Sequence, residues 1–246
     1  MLSRSDFLAS FDLANQFFHV RLAEADRKFF GFAFPDETGQ LQYYQFKVMA
    51  YGFSPAVSVV TRLLKPVKAY LHELGIKLSI YVDDGRLGSQ EKVEAEEQLR
   101  FSLQVLQLCG WNVQWEKTAL EASQQHLHLG FVTDTVSMKY FYPQGKVETV
   151  NRELEQAIRK GLRGEKFGAK ELAKLLGRLQ SMRRSHGDIV RVMSRSCQHD
   201  LGKVVVQHGW HASLVLSAGS VEELKFLKQH LEHYNGQFIQ IGRAHV

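Results

Sequence analysis

Hydrophobic and polar positions change period along this chain, and each change marks an element. Phe7, Ala9 and Phe11 alternate with Leu8, Ser10 and Asp12, which predicts a short buried strand ending in a carboxylate. Phe29 to Phe34 and Leu41 to Val48 are aromatic-rich runs on either side of Pro35-Asp36-Glu37-Thr38-Gly39. That arrangement predicts a hairpin with most of its rings in the core. Next, Ser54 is read as a helix N-cap and Pro55 as a first-turn residue. Val60, Leu63, Leu64, Val67, Leu71 and Leu74 then recur at helical spacing up to Gly75, with Pro66 expected to kink the helix. Leu78, Ile80 and Val82 alternate with Lys77, Ser79 and Tyr81, the period of a strand with one face on a core. Asp84-Gly85 is a two-residue turn signal, Arg86 to Gly88 the return strand, and Asp83 shares a face with Tyr81 on that geometry.

Gln90 to Leu108 reads as a second helix, acidic early and ending near Gly110, while Trp111 to Trp115 and Leu127 to Phe131 read as strands. The latter leads into a hairpin through Asp134 to Tyr142. From Lys146 the pattern is helical and basic over Val147 to Leu162, Ala169 to Arg184, Asp188 to Leu201 and Val221 to Tyr234. Breaks fall at Gly161 to Gly168 and Ser185 to Gly187. Strand, hairpin, helix, acidic hairpin, helix, strand is the order of an α/β (α+β) fold, a split βαβ sheet with helices on one face.

Composition adds bounds. With 246 residues and 44% hydrophobic content the chain can bury a sizeable core in two or three units. It holds no apolar run long enough to span a membrane and no secretory leader pattern, so an intracellular protein, cytoplasmic or nuclear and not secreted, is expected. Cys109 and Cys197 make no disulfide framework and are expected as reduced, buried thiols. Charge is uneven: residues 146–203 hold 14 Lys and Arg against 7 Asp and Glu, although the whole chain carries only +5. A basic half beside a slightly acidic one suits a polyanion held by the first and a metal held by the second.

Asp12 and Asp83 each end a strand, and Asp84 follows directly. An isolated Asp-Asp-Gly is ordinarily a solvated turn. Three carboxylates brought together by a sheet are different: they repel one another unless cations sit between them. They suit two divalent ions roughly 3.5–4 Å apart, with Mg²⁺ the natural choice for oxygen ligands and substrate phosphates, and Mn²⁺ an alternative.

These residues resemble the palm of a reverse transcriptase over most of residues 5–142. Phe11-Asp12-Leu13 with Phe17 five positions after the Asp is similar to the first catalytic motif, and Met49-Ala50-Tyr51-Gly52-Phe53-Ser54-Pro55-Ala56 to the second. Tyr81-Val82-Asp83-Asp84 resembles the third, Gly110-Trp111-Asn112 through Lys117 the fourth, and Leu129-Gly130-Phe131 the primer grip. The resemblance implies that Asp12, Asp83, Asp84 and the Leu13 backbone carbonyl hold two Mg²⁺, with Lys117 protonating pyrophosphate. It implies that Phe17, Tyr51 and Gly52 meet the nucleotide, Phe17 as a steric gate under the sugar. Tyr81, Leu129, Gly130 and Phe131 would meet primer and template. Met49-Ala50-Tyr51 departs from the family's usual Leu-Pro followed by Gln or Phe.

The implied organisation is a palm over 1–145 with the fingers missing upstream, a basic thumb-like helical region over 146–203, and a connection over 204–240 toward a missing RNase H domain. Residues 241–246 match one frame of a common sequencing adapter and are read as a scar. Leu63-Leu64-Lys65-Pro66-Val67 and Glu171 through Gln180 are similar to DIRS-type, tyrosine-recombinase retrotransposons. The expected partners are an RNA or DNA template with its primer and deoxyribonucleoside triphosphates, with this fragment alone binding rather than extending. An RNA-dependent RNA polymerase and a non-catalytic, nucleic-acid-binding transposon remnant are the alternatives. Phe17 argues against the former, whose enzymes admit a ribose hydroxyl.

Overall fold

The computed structural model describes residues 2–239, so the stretch read as an adapter scar lies outside the described residues. The chain divides into two compact units at His128 and Leu129, upstream of residue 145 where the sequence reading ended its first region.

The first unit contains β1 (Phe7–Asp12), β2 (Gly31–Pro35), β3 (Leu41–Gln45), α1 (Ala56–Glu73), β4 (Ser79–Tyr81), β5 (Asp84–Ser89), α2 (Lys92–Leu108), β6 (Ala119–Ser123) and β7 (Gln125–His128). Its main sheet has the order β4-β5-β1-β6, with every pair antiparallel. Because β4 and β1 both oppose β5, they run parallel to each other across it, which is the split βαβ order the sequence predicts. The ends of β1 and of the β4–β5 hairpin are thereby set side by side.

Central β1 is apolar because it is covered: Leu8, Ala9 and Phe11 are buried, and α2 lies against β1, β5 and β6. Leu99, Leu103 and Leu106 of α2 and Val60, Leu64, Val67 and Leu71 of α1 complete this core. Leu63 and Leu74, expected on the same stripe, are instead exposed, since the buried face of α1 is narrower than the apolar one. Helix α1 starts one residue later than expected. Pro55 occupies the N-cap position and Ser54 makes no cap, yet the helix is continuous from Ala56 to Glu73 across Pro66.

The aromatic hairpin departs most from expectation. Every residue of β2 and β3 is exposed, because the two strands form a sheet of their own which, among the described residues, meets the 3₁₀ turn Glu24–Phe29 but is covered by no α-helix. Its rings pack largely on one another, Phe32 lying 5.4 Å from Tyr44 and 4.8 Å from Phe46.

Three further differences have local causes. Trp111 to Trp115 is no strand: it makes one bridge, Leu13 to Val113, and enters a 3₁₀ turn at Trp115. Leu127 to Phe131 is broken by Leu129 and Gly130, both at positive φ, into β7 and the next strand. Strand β6, Ala-Leu-Glu-Ala-Ser, is pinned by pairing with β1 but carries no β-branched or aromatic residue to announce it.

The second unit contains β8 (Phe131–Asp134), β9 (Lys139–Phe141), α3 (Gln144–Leu162), β10 (Phe167–Gly168), α4 (Ala169–Ser181), α5 (Arg183–His186), α6 (Ile189–Val192), α7 (Arg195–His208), β11 (Ser213–Leu214), α8 (Ala218–Tyr234) and β12 (Gln237–Phe238). The helix expected over Asp188 to Leu201 is split at Met193 and Ser194. The Ser194 hydroxyl donates to the Arg191 carbonyl, the local bond by which serine competes with helix continuation. Leu224, Leu227 and Leu231 of α8 fill one core with Val147, Val150 and Leu154 of α3. Asn235 then clamps Tyr142, accepting from its N–H at 2.8 Å and donating to its carbonyl at 3.0 Å, as β12 pairs with β9. Cys197 is buried in this core, which pushes its thiol up to about 11; Cys109, also expected buried, is exposed.

Candidate active site

The turn at the tip of the β4–β5 hairpin is Val82-Asp83, not Asp84-Gly85. Tyr81 pairs with Asp84 and Ile80 with Gly85, so Asp84 and Gly85 already belong to β5. Asp83 therefore sits in the turn rather than on the Tyr81 face. Val82 has φ 59° while Asp83 stays out of the positive region, the sign pattern of a type II′ turn, whose first central position suits glycine. A β-branched residue there is strained, and such strain persists only where the surroundings impose it.

Gly85 serves a different purpose from the one its Asp-Gly context suggests. It is Phe11's partner across β1 and β5, and a Cβ on it would lie 2.1 Å from the Phe11 ring. The absent side chain lets that ring close over the strand beside the carboxylates.

Asp12 is the Cα partner of Asp84. Leu13 N–H donates to the Asp83 carbonyl at 3.0 Å, so Asp12 and Asp84 form a non-hydrogen-bonded pair, the kind whose side chains approach more closely. Burial raises the Asp12 carboxyl above the usual range, with Asp83 adding to the rise and the Lys117 ammonium opposing it. Asp84 is raised by burial first, then by Asp83 and Asp12. The three acids are one electrostatic group.

Lys117 is delivered to this group by backbone bonds. Gln114 N–H donates to the Asp12 carbonyl at 2.8 Å, and Ala14 N–H to the Asn112 carbonyl at 2.9 Å. One 3₁₀ turn later the Lys117 Nζ stands 3.7 Å from Asp12 Oδ1. This bridge uses the carbonyls of Asp12 and Asn112, not that of Leu13. Sequence periodicity could not have found the anchoring role of Gln114.

The donor set fits a hard divalent cation, being clustered carboxylate oxygens, those of Asp12 and Asp84 with raised proton affinity, that gain from an added positive charge. Among the described residues, no three His, Cys, Asp or Glu side chains stand close enough to enclose an ion by themselves.

Phe17 is buried, and Tyr51, which is exposed, meets it edge-on with ring centroids 5.0 Å apart. Phe18, not anticipated from the sequence, meets the same tyrosine edge-on at 5.4 Å. Gly52 follows at φ 86°, a left-handed conformation glycine accepts without strain. Tyr81 is exposed beside the turn. Leu129, Gly130 and Phe131 belong to the second unit, where the Phe131 ring packs against Tyr142 at 5.8 Å.

A family model described as reverse transcriptase (RNA-dependent DNA polymerase) matches residues 2–133. No curated protein matches this chain in sequence. Among solved structures, the foamy viral protease-reverse transcriptase in complex with RNA/DNA hybrid is similar at TM-score 0.70 and 16% identity, over 97% of this chain and 28% of that one. The foamy viral protease-reverse transcriptase dRH in complex with ds DNA is similar at TM-score 0.66 and 18% identity, over 97% and 37%. At such identities the likeness shows the fold, and this chain spans well under half the length of either. Among the described residues no helix is long and apolar enough to cross a membrane.

Proposed function

Because the chain belongs to the reverse transcriptase (RNA-dependent DNA polymerase) family, we propose that it carries the catalytic centre of a polymerase that adds deoxyribonucleotides to a primer paired with an RNA or DNA template. The observation that carries this reading is the opposition of Asp12 and Asp84 beside Asp83, with Lys117 on the same group.

Asp12, Asp83, Asp84 and the Leu13 carbonyl would hold two Mg²⁺, or Mn²⁺ in its place, whose chemistry when bound would be to lower the pKa of the primer hydroxyl and neutralise phosphate charge. Asp12 and Asp84 supply compensating negative charge from a sheet that cannot relax away, so little reorganisation is needed as the phosphoryl group moves. Lys117 gives a proton to the departing pyrophosphate, a role supported by its ion pair with Asp12. Phe17, with Tyr51 against it and Gly52 beyond, lies under the sugar of the incoming nucleotide, while Tyr81 and Leu129-Gly130-Phe131 meet primer and template. The Glu171 to Gln180 run and the Leu63 to Val67 run support an origin in a DIRS-type retrotransposon.

Extension of a DNA primer on an RNA template by the full-length enzyme, against its Asp83→Asn variant, tests this. Comparable extension by the variant would remove the carboxylate group from the chemistry.

A further inference from the structure

The β4–β5 hairpin has a second feature at the end away from its turn. There α1, the residues leading into β4, and β5 line an open cleft of about 540 Å³, within the range of ligand pockets. Its wall carries Lys68, His72, Lys77 and Arg86 against a single acid, Asp6. Lys68 and His72 are four residues apart and so share one face of α1. His72 is fixed by its Nε2 donating to the Leu78 carbonyl at 2.6 Å.

The charge there is not balanced by the fold. Among the described residues neither Lys68 nor Lys77 has a carboxylate within ion-pair distance. Asp6 is buried and already accepts from Ser3 N–H at 2.7 Å and from the Gln90 side chain. Arg86 has interactions of its own within the fold. The two lysines therefore line open space, behind which the side chains of Leu8, Leu78 and Leu87 are buried. Unpaired cations on a concave wall match a ligand with an anionic group, and the volume admits a body attached to it.

We propose that this cleft binds a phosphate-bearing small molecule of mononucleotide size, its phosphate between Lys68 and Lys77. The inference does not rest on the polymerase reading, because none of these residues belongs to the carboxylate group. Ser79 pairs with Arg86 two register positions along the hairpin from Tyr81 and Asp84.

Calorimetric titration of the chain with adenosine 5′-monophosphate, in the presence of a chelator to silence metal-dependent binding, tests it. One saturable site is expected, weakened about tenfold by Lys68→Ala and again by Lys77→Ala, Lys77 being exposed and Lys68 half-buried, with melting temperature measured for each variant. Adenosine without its phosphate should bind far more weakly, and Asp83→Asn should leave binding unchanged. Absence of saturable binding, equal binding of adenosine, or insensitivity to both lysine variants would overturn the site. Binding of a single-stranded oligonucleotide without binding of the monophosphate would overturn it too, assigning the lysines to a nucleic-acid backbone.

Discussion

Asp12 and Asp84 oppose each other directly across the β1–β5 ladder, at a pair where side chains approach most closely. Like charges in that position work against the fold, by roughly 0.2–1 kcal/mol. Asp84→Asn should therefore raise the unfolding midpoint in urea while lowering primer extension by about 10²-fold or more, as expected when a group aimed at transition-state charge is lost. A variant that is less stable yet fully active would contradict both halves of the argument.

Gly85 gives a sharper structural test. A methyl group at that position would enter the buried Phe11 ring, so Gly85→Ala should destabilise the first unit by about 1–3 kcal/mol. Phe11→Leu makes a cavity by itself, but combined with Gly85→Ala it should recover part of the loss. Equilibrium unfolding of both single variants and the double variant measures the coupling. Strict additivity would mean the ring does not meet the new methyl.

How far the sequence discloses this molecule depends on whether a signal is local. Period-two alternation placed β1 to the residue, and the split βαβ order followed from the succession of elements, because buried faces write themselves into the chain. The hairpin tip lies two residues before the Asp-Gly signal. Asp-Gly is the commoner turn signal, and only tertiary packing of Phe11 makes glycine necessary one position into the strand. The exposed aromatics of β2 and β3 mark the same limit: ring content predicts a buried face, but burial requires a covering layer that the described residues do not supply. Lys117 was legible as a motif position, while its delivery through Gln114 was not, since one isolated bridge leaves no periodic trace.

Val82 stores strain in the turn that carries Asp83. Val82→Gly relieves about 1 kcal/mol of strain at positive φ, offset by the entropy glycine adds to the unfolded chain and by the lost packing of Val82 on the first unit's core, so stability should change little. The same change frees the turn and should lower extension through the nucleotide-dependent step. Unfolding midpoints and single-turnover rates together decide the matter. A faster enzyme would show that the strain hinders the site rather than ordering it.

Two histidines predict acid sensitivity in both units. Burial holds His126 in the first unit and His186 in the second down to about 4. Both are neutral in the fold and take up protons on unfolding once the pH falls below their ordinary value of 6.5. Each therefore lowers stability progressively between about pH 6.5 and 4, by up to roughly 3 kcal/mol, with no effect above that window. Urea midpoints across this range should fall with pH, and His186→Gln should flatten the slope for the second unit. An unchanged slope would mean His186 is protonated within the fold.

Phe17 tests the sugar-selection reading, because its two possible contributions are separable. Its ring is buried in the first unit's core and is also the surface on which exposed Tyr51 rests edge-on. Truncation to alanine should cost about 3–5 kcal/mol through the cavity it leaves, whatever else the ring does. If the ring also lies beneath the nucleotide sugar, a ribose hydroxyl meets it and displaces the reacting phosphate, and a misplacement of about 1 Å is enough for a loss on the order of a hundredfold in rate. Phe17→Val and Phe17→Leu keep more of the core than alanine does and should relax discrimination against ribonucleotides in proportion to the volume removed, with deoxyribonucleotide incorporation reduced far less. Tyr51→Ala removes the supporting ring without opening the core, and should relax discrimination with little change in melting temperature. Measuring ribo- and deoxyribonucleotide incorporation alongside melting temperature for all four variants distinguishes the outcomes. Parallel loss of both activities with falling stability, and no change in their ratio, would leave Phe17 as a core residue alone.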